Sequence, residues 1–184
     1  MRGLPPKRWL HRLAGQPDMR AWLTERDSLT ARLKACCQHF EVRCLSQRLE
    51  TLSPDEAARL HIRAGSLAWV REVLLLTDGQ AAIFAHTVMS RQPRHPFNLR
   101  FSALGERSLG SLLFSDPRIA RGPLEFLRLD RRHPLFQRAQ TALGPLPAQL
   151  WARRSHFGRQ AKGVLVTELF LPSIQRLKPC PPTA

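Results

Sequence analysis

The chain has 184 residues, with 29 Lys and Arg against 14 Asp and Glu, a formal charge of +15. Hydrophobic residues make up 43% and charged ones 23%, a globular composition long enough to bury one sizeable core, so wholesale disorder is excluded and one domain is the default. The cations are 25 Arg and 4 Lys dispersed from Arg2 to Arg176 without a basic block. Such dispersion does not by itself mark a nucleic-acid surface, and a cationic field attracts a small dianion equally well.

Cys36, Cys37, Cys44 and Cys180 lack the paired CxxC spacing of a zinc site and suit a reducing compartment. His39 lies close to Cys37, but Cys on a core-facing helix is an ordinary small hydrophobe, and no metal is expected. No apolar run reaches signal-peptide or membrane-spanning length, so a soluble, cytoplasmic protein is expected.

From Pro17 to Phe40, Met19, Trp22, Leu23, Leu29, Leu33, Cys36 and Phe40 recur at helical spacing. Asp27 or Ser28 can cap a second helix, so two short helices are predicted. Glu41 to Leu49 alternates as a strand. Ser53, Pro54, Asp55 and Glu56 form a capping box with Pro at the first helical position, predicting a helix to about His61. The strands Leu67 to Leu76 and Ala81 to Met89 flank Thr77-Asp78-Gly79-Gln80, whose Asp-Gly pair supplies the positive φ of a tight hairpin turn.

Arg91 to Arg100 is Pro-rich and loop-like, and Leu109 to Phe114 reads as a short helix after Ser108, with Pro117 as its stop. Gly122-Pro123 opens a strand over Leu124 to Leu129, and Pro134 to Leu143 is helical, ending at Gly144. A last hairpin pairs Leu150 to Phe157 with Val164 to Leu171 through a turn spanning Gly158 to Gly163. The domain is expected to span residues 1–172, with residues 173–184 a loose Pro-rich tail. About six strands joined largely by hairpins describe an α+β fold on an antiparallel sheet. A glycine-rich phosphate loop and an internal repeat are both missing from the sequence.

Two charges stand on apolar faces. By period-two counting, Arg71 shares a face with Leu67, Trp69, Val73 and Leu75, and Glu168 shares one with Val164, Val166 and Phe170. A buried charge without a partner costs several kcal/mol, on the order of 3 to 5. Either the two pair with each other, or Arg71 presents its donor fork to a ligand carboxylate while Glu168 hydrogen-bonds or exchanges a proton with the same ligand. Glu72 lies on the opposite face, where edge or solvent exposure explains it. His86 falls mid-strand, with a satisfied structural role the simpler reading. Ser28, Ser108 and Ser155 lack nucleophile context and read as caps or surface hydroxyls.

The runs Trp69-Val70-Arg71-Glu72-Val73-Leu74-Leu75 with Asp78-Gly79, and Leu104-Gly105 through Ser108-Leu109-Gly110 to Leu113-Phe114, closely resemble chorismate pyruvate-lyases. So do Leu150-Trp151 through Arg153-Arg154-Ser155 to Thr167-Glu168-Leu169-Phe170-Leu171-Pro172, and Asp27-Ser28-Leu29-Thr30. The resemblance spans roughly Trp22 to Pro172. It implies a single domain whose antiparallel sheet and helical flaps enclose a buried site that converts chorismate to 4-hydroxybenzoate and pyruvate, the entry step of ubiquinone biosynthesis in bacteria. No metal or organic cofactor is implied, and no stable membrane insertion or nucleic acid; a monomer is expected.

Carried over by motif, Arg71 would hold the ring carboxylate, Glu168 would contact the ring hydroxyl, and Leu29 and Leu109 would line the pocket, partly through their backbone. Leu29 stands where a relative has Met, and His86 where it has Arg. If that Arg steers anionic ligand through a secondary site, His86 would do so weakly and with pH. The segment 131–149 is longer here, which could alter a lid. A sensor domain of the same fold is the alternative; such domains usually follow a winged-helix unit, and the stretch before Trp22 is short for one. An Arg-rich nucleic-acid module is a third, with no recognition motif to support it.

Overall fold

A computed structural model describes residues 8–13, 15, 17–91, 101, 103–105, 107–114, 119–158 and 163–177. The stretch expected as a Pro-rich loop falls mostly in 92–100 and, like Pro117, residues 159–162 and Cys180, lies outside the described residues. Six strands, β1 (Phe40–Thr51), β2 (Leu67–Thr77), β3 (Gln80–Ser90), β4 (Glu125–Asp130), β5 (Gln149–Phe157) and β6 (Val164–Phe170), form one antiparallel sheet in the order β1-β2-β3-β6-β5-β4. The helices are α1 (Pro17–Leu23), α2 (Leu29–Ala35), α3 (Pro54–Arg59), α4 (Leu109–Phe114) and α5 (Pro134–Leu143).

Local signals account for the punctuation. Ser28, not Asp27, caps α2 by accepting from the Ala31 amide at 3.2 Å. Ser53 and Glu56 close the capping box of α3, which stops at Arg59, two residues short of the expected end; Leu60 is its C-cap and His61 turns to a φ of 54°. Asp78 and Gly79 have φ of 48° and 79° in the β2–β3 turn, and Asp78 Oδ1 accepts from the amides of Gln38 and His39, tying the entry of β1 to the hairpin. The fourth strand sits one residue later than expected, and Leu10 bridges Phe126 at the sheet edge.

The chain from residue 173 is not loose where it is described. Pro172–Arg176 forms a 3-10 turn whose Ile174 is fully buried in the core beside Phe170 and Ile83. Burial of apolar side chains outweighs the Pro signal there.

The two faces of the sheet carry different loads. On one, α1 and α2 cover Val42, Val73, Leu75, Ile83, Ala85 and Phe170. On the other, α5 packs Leu135, Phe136 and Ala139 against Leu74, Phe84, Leu127 and Leu169, while α3 sets Ala57 against Val70, Val88 and Leu165. Most of the longer segment 131–149 is α5, which packs on the face opposite α1 and α2.

Between those two apolar groups, cross-strand register aligns Ser46, Glu72, His86, Thr167, Arg154 and Glu125 in one polar row. Glu72 is not solvated as expected; it is 8% exposed, accepts from Ser46 Oγ at 3.3 Å and pairs with Arg138 of α5 at 2.9 Å. His86 sits with Nδ1 3.0 Å from Glu72 and Nε2 2.9 Å from Glu56. Facing α3 and α5, it cannot steer a ligand on the α1–α2 side. Arg154 Nε meets Glu125 at 2.6 Å, and its guanidinium also bonds Asp55. Every charge in this row has an ionic partner, which is what burial demands.

Candidate active site

On the α1–α2 face two adjacent cross-strand rows build a cavity. One runs Arg71, Thr87, Val166, Ser155 across β2, β3, β6 and β5; the next runs Val73, Ala85, Glu168, Arg153 across the same strands. Because alternate residues of a strand share a face, both rows point the same way. Two flaps cover them: Asp27–Thr30, the entry into α2, and Ser108–Leu113, around α4. Ser108 Oγ donates to Thr30 Oγ1 at 3.1 Å where the flaps meet, and accepts from the Gly110 amide at 3.2 Å. A Cβ on Gly110 would lie 3.3 to 3.5 Å from the hydroxyls of Ser108, Thr30 and Ser28, near ordinary contact, so the two flaps meet closely at this position.

Arg71, Glu168, Leu29 and Leu109, singled out in the sequence, all line this cavity, with Val42 and Leu113. Arg71 and Glu168 do not pair. Arg71, 1% exposed, donates through Nη2 to the carbonyls of Gly105 at 2.8 Å and Arg107 at 3.1 Å, and its buried Nε has no hydrogen-bond partner. Among the described residues no carboxylate lies within ion-pair distance of it. Burial pulls its guanidinium below the ordinary value. The result is a desolvated cation facing a cavity, held by neutral carbonyls.

Glu168 pairs instead with Arg153, which the sequence reading missed: Nε meets Oε2 at 2.5 Å. Arg153, 1% exposed, also donates through Nη1 to the carbonyls of Trp22 (3.1 Å), Leu23 (3.2 Å) and Glu25 (2.7 Å). One guanidinium thus orients the Glu168 carboxylate and anchors the end of α1 over it. The period-two count would have found it, since Trp151, Arg153, Ser155 and Phe157 share a face.

Arg121 is a second missed cation, with no periodic signal. An isolated bridge to Phe157, with Gly122 N donating to His156 O at 2.7 Å, sets it beside β5. Its Nε donates to Ser155 Oγ at 3.0 Å, and its Nη1 to the carbonyls of Arg26 at 2.7 Å and Asp27 at 3.4 Å. Ser155 is therefore no surface hydroxyl: it is 2% exposed. Burial and the nearby charge of Arg153 lower the Arg121 guanidinium to about 10. The cavity wall thus carries three arginines, Arg71, Arg121 and Arg153, beside the carboxylates of Glu168 and Asp27, a balance that favours an anionic occupant.

A family model described as chorismate lyase matches residues 10–177. The chain belongs to the chorismate lyase family. It is 48% identical over 161 residues to a probable chorismate pyruvate-lyase of Aromatoleum aromaticum, covering 86% of this chain and 87% of the relative. Against a probable chorismate pyruvate-lyase of Dechloromonas aromatica the identity is 49% over 174 residues, covering 93% and 98%.

Among solved structures, this chorismate lyase family member is similar to the effector domain of PhnF from Mycobacterium smegmatis, with TM-score 0.52 and 18% identity over 80% of this chain and 90% of that one. A PhnF C-terminal domain superposes with TM-score 0.58 and 15% identity, covering 80% and 89%. Those likenesses establish the shared fold: a six-stranded antiparallel sheet with few helices. Among the described residues, no helix is long and apolar enough to cross a membrane.

Proposed function

We propose that the protein is a chorismate pyruvate-lyase, releasing 4-hydroxybenzoate and pyruvate from chorismate at the head of ubiquinone biosynthesis. The observation that carries this reading is Arg71: a buried guanidinium at a cavity, without a carboxylate partner among the described residues and with Nε unsatisfied, calls for an anion. In this reading Arg71 holds the ring carboxylate and Glu168 meets the ring hydroxyl at the far end. Leu29 and Leu109 close the flaps on the ring, contacting it partly through their backbone.

The reaction balances without an oxidant or a group carrier. The bond between the ring and the ether oxygen breaks with its electron pair going to oxygen. The adjacent ring carbon loses its hydrogen as a proton, and the electron pair left behind completes the aromatic ring. The enolpyruvate released takes up that proton and becomes pyruvate. Aromaticity supplies the driving force, so the protein has mainly to desolvate and orient the dianion. Glu168, oriented by Arg153, is the group available to relay the proton or to fix the hydroxyl.

Incubating the purified protein with chorismate and following the absorbance of 4-hydroxybenzoate tests this directly. Arg71→Ala is expected to lower kcat/KM by about 100-fold or more, the cost of an unpaired buried carboxylate; near-normal turnover would remove the clamp. Near-normal kcat in Glu168→Gln would remove proton transfer and leave Glu168 a positioning role. No product at micromolar wild-type protein would favour a ligand-sensing domain of the same fold.

A further inference from the structure

Beside the cavity, against the connection between α1 and α2, lies an open groove of about 1040 Å³. Its rim carries Arg12, Arg20 in the last turn of α1, and Arg26, all three exposed. Leu13, Leu124 and Phe126 give it an apolar floor that continues the core under α1 and α2. Among the described residues none of the three rim guanidiniums has an ion-pair partner, and no acidic residue lines the groove.

The groove and the cavity share a wall. In the connection between α1 and α2, Thr24 and Arg26 line the groove, while Asp27 and Ser28 line the cavity. Arg121 borders both; bonded to the carbonyls of Arg26 and Asp27 and to Ser155 Oγ, it ties that connection to β5. The charges of Glu168, Glu25 and Asp27 act on Arg121, so the uncompensated positive charge of this region is that of the rim.

We infer that this groove is an outer capture site for the carboxylate ligands of the cavity, gathering the anion next to the flap it has to pass. This rests on the lyase reading of the cavity. A cleft lined by one sign of charge over low-dielectric walls focuses the field, and raises the local concentration and on-rate of an anion by about 10-fold or more at low salt. The floor accepts a ring while a rim arginine meets its carboxylate. Exposed guanidiniums are screened by water and salt, so the groove acts on the arrival of the ligand and not on its final hold under the flaps.

The test needs no turnover. Stopped-flow tryptophan fluorescence follows 4-hydroxybenzoate binding to wild type, to the triple variant Arg12→Glu, Arg20→Glu, Arg26→Glu, and to a control triple, Arg63→Glu, Arg131→Glu, Arg132→Glu. The control residues are exposed and flank α3 and α5 in the chain, and both triples change the net charge equally. All variants are checked for folding by circular dichroism. The groove variant is expected to associate about 10-fold more slowly at about 20 mM salt, to dissociate within about twofold of wild type, and to differ by less than about twofold at about 0.5 M salt. The control should stay within about threefold of wild type throughout, and Gln at the three rim positions should give about half the logarithmic effect of Glu. Equal slowing by both triples would make net charge responsible and overturn the inference, as would unchanged association or a loss carried by the dissociation rate. A wild type that does not bind 4-hydroxybenzoate would overturn both this inference and the lyase reading. One that captures it through the groove and yet releases none from chorismate would refute the lyase reading while leaving the capture site standing.

Discussion

Replacing Arg153 by Met removes a cation that is 1% exposed while keeping most of its apolar volume. Glu168, with a side chain 14% exposed, then loses the partner at 2.5 Å, and the carbonyls of Trp22, Leu23 and Glu25 lose their donor. Removing one member of a buried ion pair costs about 3 to 5 kcal/mol, a large share of the roughly 5 to 15 kcal/mol that holds a domain folded. Glu168→Gln is milder, about 1 to 2 kcal/mol, because Arg153 keeps its three carbonyls and a neutral acceptor. In the double variant the stranded carboxylate is gone, so the two losses should not add; a coupling of about 2 kcal/mol is expected. Urea denaturation of the four proteins at pH 7 measures this, provided the m-values agree. If Arg153→Met costs less than about 1 kcal/mol, or the double variant is additive within about 0.5 kcal/mol, Arg153 does not hold Glu168 and the positioning role assigned to it falls.

Other expectations follow from the buried polar row and from one glycine. Burial opposes charge on His86, but its hydrogen bonds to Glu56 and Glu72 and their negative charges outweigh it and raise its pKa above 6.5; burial of the two carboxylates is likewise outweighed, mainly by His86, and both are lowered to about 2. The raised histidine stabilises the fold fully below pH 6.5 and loses that contribution as pH rises through its folded pKa. The lowered carboxylates contribute above pH 4.5 and lose it as pH falls toward about 2. His86→Gln should therefore cost most, about 3 kcal/mol, between those limits; a stability difference from wild type that is flat from pH 4 to 9 in denaturant titrations would exclude the charged clamp. A Cβ on Gly163 would lie 1.9 Å from His156 Nε2 and 2.6 Å from the Phe157 carbonyl, so Gly163→Ala should lower stability by about 1 to 3 kcal/mol, read as a fall in Tm.

Much of the architecture was legible because its signals are local. Alternation along residues 67–76 and 164–170, the Asp78-Gly79 turn and the Ser53–Glu56 box each act within a few residues, so six strands and their hairpins could be read in order. The same alternation exposed Arg71 and Glu168, since a charge among apolar neighbours on one face needs no knowledge of the partner. Where local and tertiary forces competed, tertiary burial won: Ile174 pulled the Pro-flanked segment 172–176 into the core.

By itself, then, the sequence determined the α+β class, the hairpins, the motifs of the chorismate lyase family and two of the charges at the site. Who meets whom was decided only by the tertiary structure. The Arg153 carbonyl partners at the end of α1 and just beyond it lie 128 to 131 residues away, and those of Arg121 at 26 and 27 lie 95 and 94 away. The insertion of β6 between β3 and β5 is what sets Glu168 one row from Arg71. Strand order and long-range ion pairs depend on which distant surfaces bury each other, a property no short window of residues contains. The same reason separates Glu72 from Arg71. One residue apart in sequence, they lie on opposite faces, the first locked into a satisfied polar row and the second left as a buried cation facing the cavity.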